Sequence, residues 1–94
     1  MQAVVLIVNP FASRVSEGRL AAVERELSRV AELSIVMTEH PRHATELACE
    51  ASRGGPDAIV VFSGDGGFNE ALNGLEGDVP IGRASCRERV SLTV

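Results

Sequence analysis

The residues best suited to chemistry form one run, Ser63-Gly64-Asp65-Gly66-Gly67-Phe68-Asn69-Glu70, directly behind the apolar stretch Ala58-Ile59-Val60-Val61-Phe62. Three glycines around an acid let backbone N–H groups approach a polyphosphate, and a helix opening behind them adds partial positive charge. Asp65 is acceptor-only when ionised, so it suits a ribose hydroxyl, a water or Mg2+, and repels bare phosphate unless a cation is present. Asn69 can both donate and accept at the helix start. Glu70 suits the same work, or is an acid favoured there by the helix dipole. The plainer reading of the run is an ordinary βα turn, and its glycine density argues against that.

Two familiar phosphate motifs fail. A P-loop needs Lys and Ser/Thr after its last glycine, whereas Gly67 is followed by Phe68. The dinucleotide fingerprint needs a glycine at position 69, which is Asn. A nicotinamide-dependent dehydrogenase is therefore disfavoured.

The elements that position this run can be read from apolar spacing. Residues 3–8 are a continuous β-branched run, as in a strand covered on both faces, and Asn9-Pro10 ends it. Leu20, Val23, Leu27 and Val30 form one stripe of a helix, with Ser16 or Ser13 as its N-cap. A second strand at 33–37 ends at Thr38, and a loop with Pro41 leads to a helix striped by Ala44, Leu47, Ala48 and Ala51. Gly54-Gly55-Pro56 stops that helix, 57–62 is a third strand, and 69–73 is a short helix closed by Gly74. Val79-Pro80-Ile81 opens a fourth strand.

This β-α-β-α-β-α order predicts a three-layer α/β fold with a parallel sheet. In such sheets ligands bind beyond the carboxyl ends of the strands. Asn9-Pro10, Thr38 and residues 63–67 are those ends, three polar stops on one rim. Each also has a blander reading: Asn9 as a turn former before proline, Thr38 as a strand end, His43 as a helix-start or packing residue.

Composition bounds the rest. The chain has 94 residues, one domain or part of one, and a net charge of −4. Its basic residues are all arginines interleaved with acids, so no basic patch is built for nucleic acid. Cys49 and Cys86 have neither metal-ligand spacing nor a disulfide framework, and Cys49 reads as a small core residue. The longest apolar run is too short to span a bilayer and lacks the flanks of a signal peptide, which makes the cytoplasm the expected compartment. From Gly82 the character changes, with Arg83, Arg87 and Arg89 close together. The expected domain is 1–81, with 82–94 a tail of doubtful origin outside the fold.

Taken in order, a strand ending in Asn9-Pro10, Thr38 followed by His43-Ala44 and Leu47-Ala48, and the run from Ser63 to Glu70 with Asn73-Gly74 behind it resemble a known pattern. It is that of the catalytic domain of diacylglycerol kinase-like lipid kinases, a family that includes sphingosine kinases and bacterial lipid kinases. The resemblance covers about Val4 to Ile81 and implies the N-terminal part of a fold shared with NAD kinases. It further implies Mg2+-assisted transfer of the ATP γ-phosphate to a lipid hydroxyl. ATP would lie against Asn9, Pro10, Phe11, Ala12 and Ser13, against Thr38, and against Ser63, Gly64, Asp65, Gly66, Gly67, Phe68 and Asn69, with Asp65 positioning nucleotide and Mg2+. The lipid acceptor would be held by a C-terminal domain absent from this chain, and half a cleft should not catalyse.

Two departures stand out. The usual turn of the family is Gly-Gly-Asp-Gly-Thr, where this chain has Ser63 and Gly67 at the first and last places. Ser-Gly often follows Asn-Pro, where this chain has Phe11-Ala12-Ser13. A kinase of a soluble substrate such as NAD, and a non-catalytic nucleotide-binding module, remain alternatives on the same turn.

Overall fold

Strands that are apolar on both faces need cover on both sides, and the chain supplies it with helices of opposite placement. A computed structural model describes residues 2–12, 15–40, 42–63, 65–77, 79–84 and 90–93, of which Asp65 and 90–93 are described by backbone alone. The elements are β1 (Gln2–Val8), α1 (Glu17–Ser28), β2 (Ala31–Met37), α2 (His43–Arg53), β3 (Ala58–Phe62), α3 (Asp65–Gly74), β4 (Ile81–Ala84) and β5 (Val90–Thr93). The sheet order is β2-β1-β3-β4-β5; the first four strands are parallel and β5 runs antiparallel to β4. The α/β architecture read from the sequence is the one observed.

Strand alternation splits the core in two. Val4, Leu6, Val8, Val60 and Phe62 face Val23 and Leu27 of α1, while Ile7, Ile59 and Val61 face Ala44 and Ala48 of α2 and Phe68 and Ala71 of α3. Every residue of β3 is buried, as its unbroken apolar run requires. At the amino edge Asp57 ties two strands: its Oδ2 accepts from the Ala3 N–H at 2.6 Å, and its own N–H donates to the Ala3 carbonyl at 2.8 Å. Ser16, not Ser13, caps α1, its Oγ accepting from the Arg19 N–H at 3.2 Å; Ser13 lies outside the described residues.

Three boundaries differ from the sequence reading, each for a physical reason. Helix α1 stops at Ser28, so Val30 leaves the stripe and is exposed. Helix α3 opens at Asp65, four positions before the expected Asn69, and takes Gly66 and Gly67 into its first turn. Each glycine costs a helix up to about 1 kcal/mol, but burying Phe68 returns roughly 1.5–3 kcal/mol, so packing overrules propensity.

The third difference is at the tail. The boundary expected after Ile81 falls inside β4, where Gly82 and Arg83 pair with Val60 and Val61 and Ala84 is buried. The expectation that 82–94 stands outside the fold is thus corrected for 82–84 and 90–93. Arginines had argued against a strand, yet the exposed Arg83 sets its guanidinium 4.3 Å over the Phe68 ring. Residues 85–89 and 94, Cys86 among them, lie outside the described residues. Among the described residues no helix is long and apolar enough to cross a membrane.

Helices α2 and α3 approach most closely at Gly74, where a Cβ would overlap the Thr45 carbonyl. The obstacle is backbone and cannot rotate away. Gly74→Ala is expected to lower unfolding stability by about 1–3 kcal/mol. Gly18→Ala, with open space around its Cβ, should leave stability unchanged or raise it by roughly 0.5–1 kcal/mol. Urea midpoints of the two variants check both.

Candidate functional site

Strand β1 lies between β2 and β3, and the chain leaves it to opposite faces of the sheet, α1 covering one and α2 the other. The crevice at the carboxyl ends of β1 and β3 is therefore the switch point where open α/β sheets bind ligands. Two ladder bonds align the rim: the Asn9 N–H donates to the Phe62 carbonyl at 3.1 Å, and the Thr38 N–H donates to the Val8 carbonyl at 2.8 Å. A cavity of about 470 Å3 opens there, floored by Ile7, Val61 and Ala44 and walled by Asn9, Phe11, Thr38, Ser63, Gly67 and Glu70. That volume suits a small molecule of nucleotide size.

Of the residues expected at the site, Asn9, Phe11, Thr38, Ser63 and Gly67 thus line one cavity. Pro10 and Ala12 shape the loop without lining it, and Gly66, exposed in the first turn of α3, does not line it either. Phe68 belongs to the core beneath, and Asn69 is exposed on α3 away from the cavity. Ser13 and Gly64 lie outside the described residues, as does the Asp65 side chain, although Asp65 itself is placed at the head of α3. Sequence reasoning passed over Glu39 and His40, which line the cavity beside Thr38, and left Glu70 undecided. The available signal for Glu70 was its spacing, three residues from Gly67 and so on the same helix face.

Local chemistry explains how each piece is held. The Asn9 Oδ1 accepts from the Phe11 N–H at 3.0 Å, an Asx turn that swings the Phe11 ring out at the mouth with 79% exposure. With its oxygen so used, Asn9 turns its NH2 donors to any ligand. The first turn of α3 carries backbone N–H groups without intrahelical partners, and the helix dipole makes that end attractive to anions.

Its glycines separate into two kinds. At Gly67 a Cβ would meet the Ser63 side chain, so packing excludes it. At Gly66 nothing lies within 4 Å of a Cβ, and no positive φ demands glycine. No described neighbour gives a packing reason for glycine at position 66.

Glu70 adds an unpaid polar group. Its Oε1 is buried and has no hydrogen-bond partner among the described residues. A buried acceptor left unmade costs roughly 1–3 kcal/mol, so its presence calls for a physical reason. The backbone of Glu70 is fixed by the Thr45 hydroxyl, which donates to its carbonyl at 2.8 Å.

His40, His43 and Glu46 bring potential ligand atoms within 4.8 Å of one another. Their geometry opposes a shared metal. The two imidazoles stack at 4.4 Å and 18°, so their in-plane lone pairs run side by side instead of converging. The His43 Nδ1 already accepts from the Glu39 N–H at 2.9 Å. A second hollow, at the far ends of α2 and α3, is held by Arg53 donating to both Glu76 oxygens at 2.9 and 3.1 Å. The Arg53 hydrogen bond holds the Glu76 carboxyl below its ordinary range, while partial burial and Glu76 push the Cys49 thiol up. Cys49 is half-buried at the edge of this hollow, where its thiol donates to the Glu76 Oε1 at 3.5 Å, and is not the core residue expected from the sequence.

Comparison with known proteins decides the family. The diacylglycerol kinase catalytic domain model matches residues 3–92. The chain belongs to that family. It is 45% identical to rat sphingosine kinase 1 over 53 residues, which is 54% of this chain and 14% of that protein. Over 77 residues it is 31% identical to sphingoid long chain base kinase 5 of Saccharomyces cerevisiae, 79% of this chain and 11% of that protein. A solved diacylglycerol kinase from Bacillus anthracis str. Sterne superimposes with a TM-score of 0.79 at 31% identity, over 88% of this chain and 32% of that one. The chain therefore spans a third or less of each of these relatives, and in this diacylglycerol kinase family the match reaches past Ile81 into the segment first set aside.

An orphaned acceptor that serves a ligand should be dispensable to the fold. Glu70→Leu is expected to raise the thermal midpoint by a few degrees, since about 1 kcal/mol moves it roughly 4–8 °C in a domain of this size, while abolishing ligand-induced stabilisation. Thermal denaturation with and without MgATP measures both effects.

Proposed function

We propose that this chain is the nucleotide-binding part of a lipid kinase catalytic domain, with MgATP lying across the carboxyl rim of β1, β2 and β3. The observation that carries the reading is the pair formed by Gly66 and Glu70. One presents unobstructed, exposed backbone in the first turn of α3 beside the crevice, and the other lines the crevice and has a buried oxygen with no hydrogen-bond partner among the described residues. Phosphate oxygens suit the first and a hydroxyl or amino donor suits the second.

Each remaining part follows from its chemistry. Phe11 offers an exposed ring to a base at the mouth, while Asn9 and Thr38 offer polar groups along the rim. Asp65, at the head of α3, and Glu70 carry the hard carboxylate oxygens that a Mg2+ ion takes. Mg2+ would neutralise phosphate charge, which matters in a chain of net charge −4. The acceptor is a lipid hydroxyl, held by the parts of the family's domain that this chain does not span. Transfer needs both halves of the cleft, so the 94-residue chain alone binds nucleotide without phosphorylating lipid.

Calorimetric titration with MgATP tests this. Wild type should bind, Asp65→Ala should weaken binding at least tenfold, and Gly66→Val should abolish it while leaving the urea midpoint within about 1 kcal/mol of wild type. Unchanged affinity in Gly66→Val, or lipid phosphorylation by the chain alone, would overturn the reading.

A further inference from the structure

The wall of the crevice nearest β2 is the stretch Thr38, Glu39 and His40, and both its Glu39 amide and its His40 carbonyl bond to α2. The Glu39 N–H donates to Nδ1 of His43, the first residue of that helix, at 2.9 Å. A neutral imidazole has a single lone-pair nitrogen, so an accepting Nδ1 places the ring proton on Nε2. Protonation would turn Nδ1 into a donor facing another donor. We propose that His43 is a positioning residue for the nucleotide site: its neutral ring pins the Glu39 amide at the middle of the Thr38–Glu39–His40 wall, and protonation frees that amide and weakens nucleotide binding. The proposal rests on the nucleotide reading above for its ligand and on the Glu39 bond for its mechanism.

The surroundings make the tie a local one. The His43 N–H also closes back on the His40 carbonyl at 3.2 Å, and the His40 ring stacks on His43. Charging both stacked rings would add repulsion between them. The titratable and charged groups around His43 are Glu46, whose carboxylate lies within 4.8 Å of the imidazole nitrogens, the stacked His40, and Glu39 and Arg42 beside it in the chain. Across the crevice Glu70 of α3 is the acid lining the same cavity. Histidine side chains change charge between about pH 5 and 8. The binding-competent wall requires the neutral form, so affinity falls once the pH is low enough to charge the ring.

The variant that separates titration from bonding is His43→Asn, whose Oδ1 can accept from the Glu39 N–H and never charges. MgATP affinity of the full chain, measured calorimetrically at about pH 8 and about pH 5.5, should fall about three- to tenfold more for wild type than for His43→Asn, as expected for one neutral hydrogen bond. The titration of the nucleotide's own phosphates is common to both proteins and cancels. His43→Ala should bind weakly at both pH values. In the nucleotide-free chain, the Glu39 amide resonance should titrate in wild type and stay flat in His43→Asn. Equal pH slopes in the two proteins, or a Glu39 amide that ignores pH in wild type, would overturn the proposal. Failure of every variant to bind MgATP at any pH would instead bring down the nucleotide reading, and the Glu39 amide would then decide whether the imidazole tie exists.

Discussion

The position of β1 between β2 and β3 is the constraint on which the remaining structure depends. Because neither face of β1 or β3 is polar, helices must cover both, and the chain reaches the two neighbours of β1 by crossing opposite faces. The loops that end β1 and β3 then stand side by side with no helix between them. Pro10 cannot extend the ladder, so the pairing stops where the Asn9 N–H meets the Phe62 carbonyl. A crevice at that point is a consequence of topology before any side chain is considered.

Helix α3 shows how the site and the fold divide one element between them. Its carboxyl end is fixed by close packing of Gly74 on the Thr45 backbone and by the Ser52 hydroxyl, which accepts from the Glu76 N–H at 3.0 Å. Its middle is fixed by Phe68 and Ala71 in the core. Its amino end keeps two glycines that weaken the helix, and one of them is explained by no neighbour. The anchored end thus tolerates a first turn weakened by its glycines. Glu70 extends the same logic, because an unpaired buried oxygen persists only where the surrounding packing holds it.

Long apolar runs made the strands legible, and the rim followed from them: Asn9, Thr38 and Ser63 stand where their strands stop. What the sequence hid is long-range. The start of α3 was set too late because glycine reads as a turn, and only the burial of Phe68 decides otherwise. Phe68 itself sat inside the chemical run yet belongs to the core, a difference that local spacing does not carry. Gly82, Arg83 and Ala84 read as tail because arginine argues against a buried strand, and the face on which Arg83 meets Phe68 exists only once β4 is paired with β3. The orphaned Glu70 oxygen is likewise a property of packing, although its spacing from Gly67 placed it on the right side of the helix.

The β2–α2 connection carries the one described non-glycine residue with positive φ, Arg42 at 69°. That conformation costs an ordinary side chain about 1–2 kcal/mol, and Arg42 brings no side-chain cap to the helix it precedes. Three local bonds offset the cost: the Thr45 N–H to the Arg42 carbonyl, the His43 N–H to the His40 carbonyl, and the Glu39 N–H to the His43 ring. The first two depend on backbone alone and hold at any pH. The third is the one whose acceptor can be converted to a donor, and it is also the one that reaches furthest toward Thr38. The strained turn therefore keeps its shape at any pH, and with Thr38 held by the Val8 carbonyl and His40 by the His43 N–H, any response of this loop is confined to Glu39 between them.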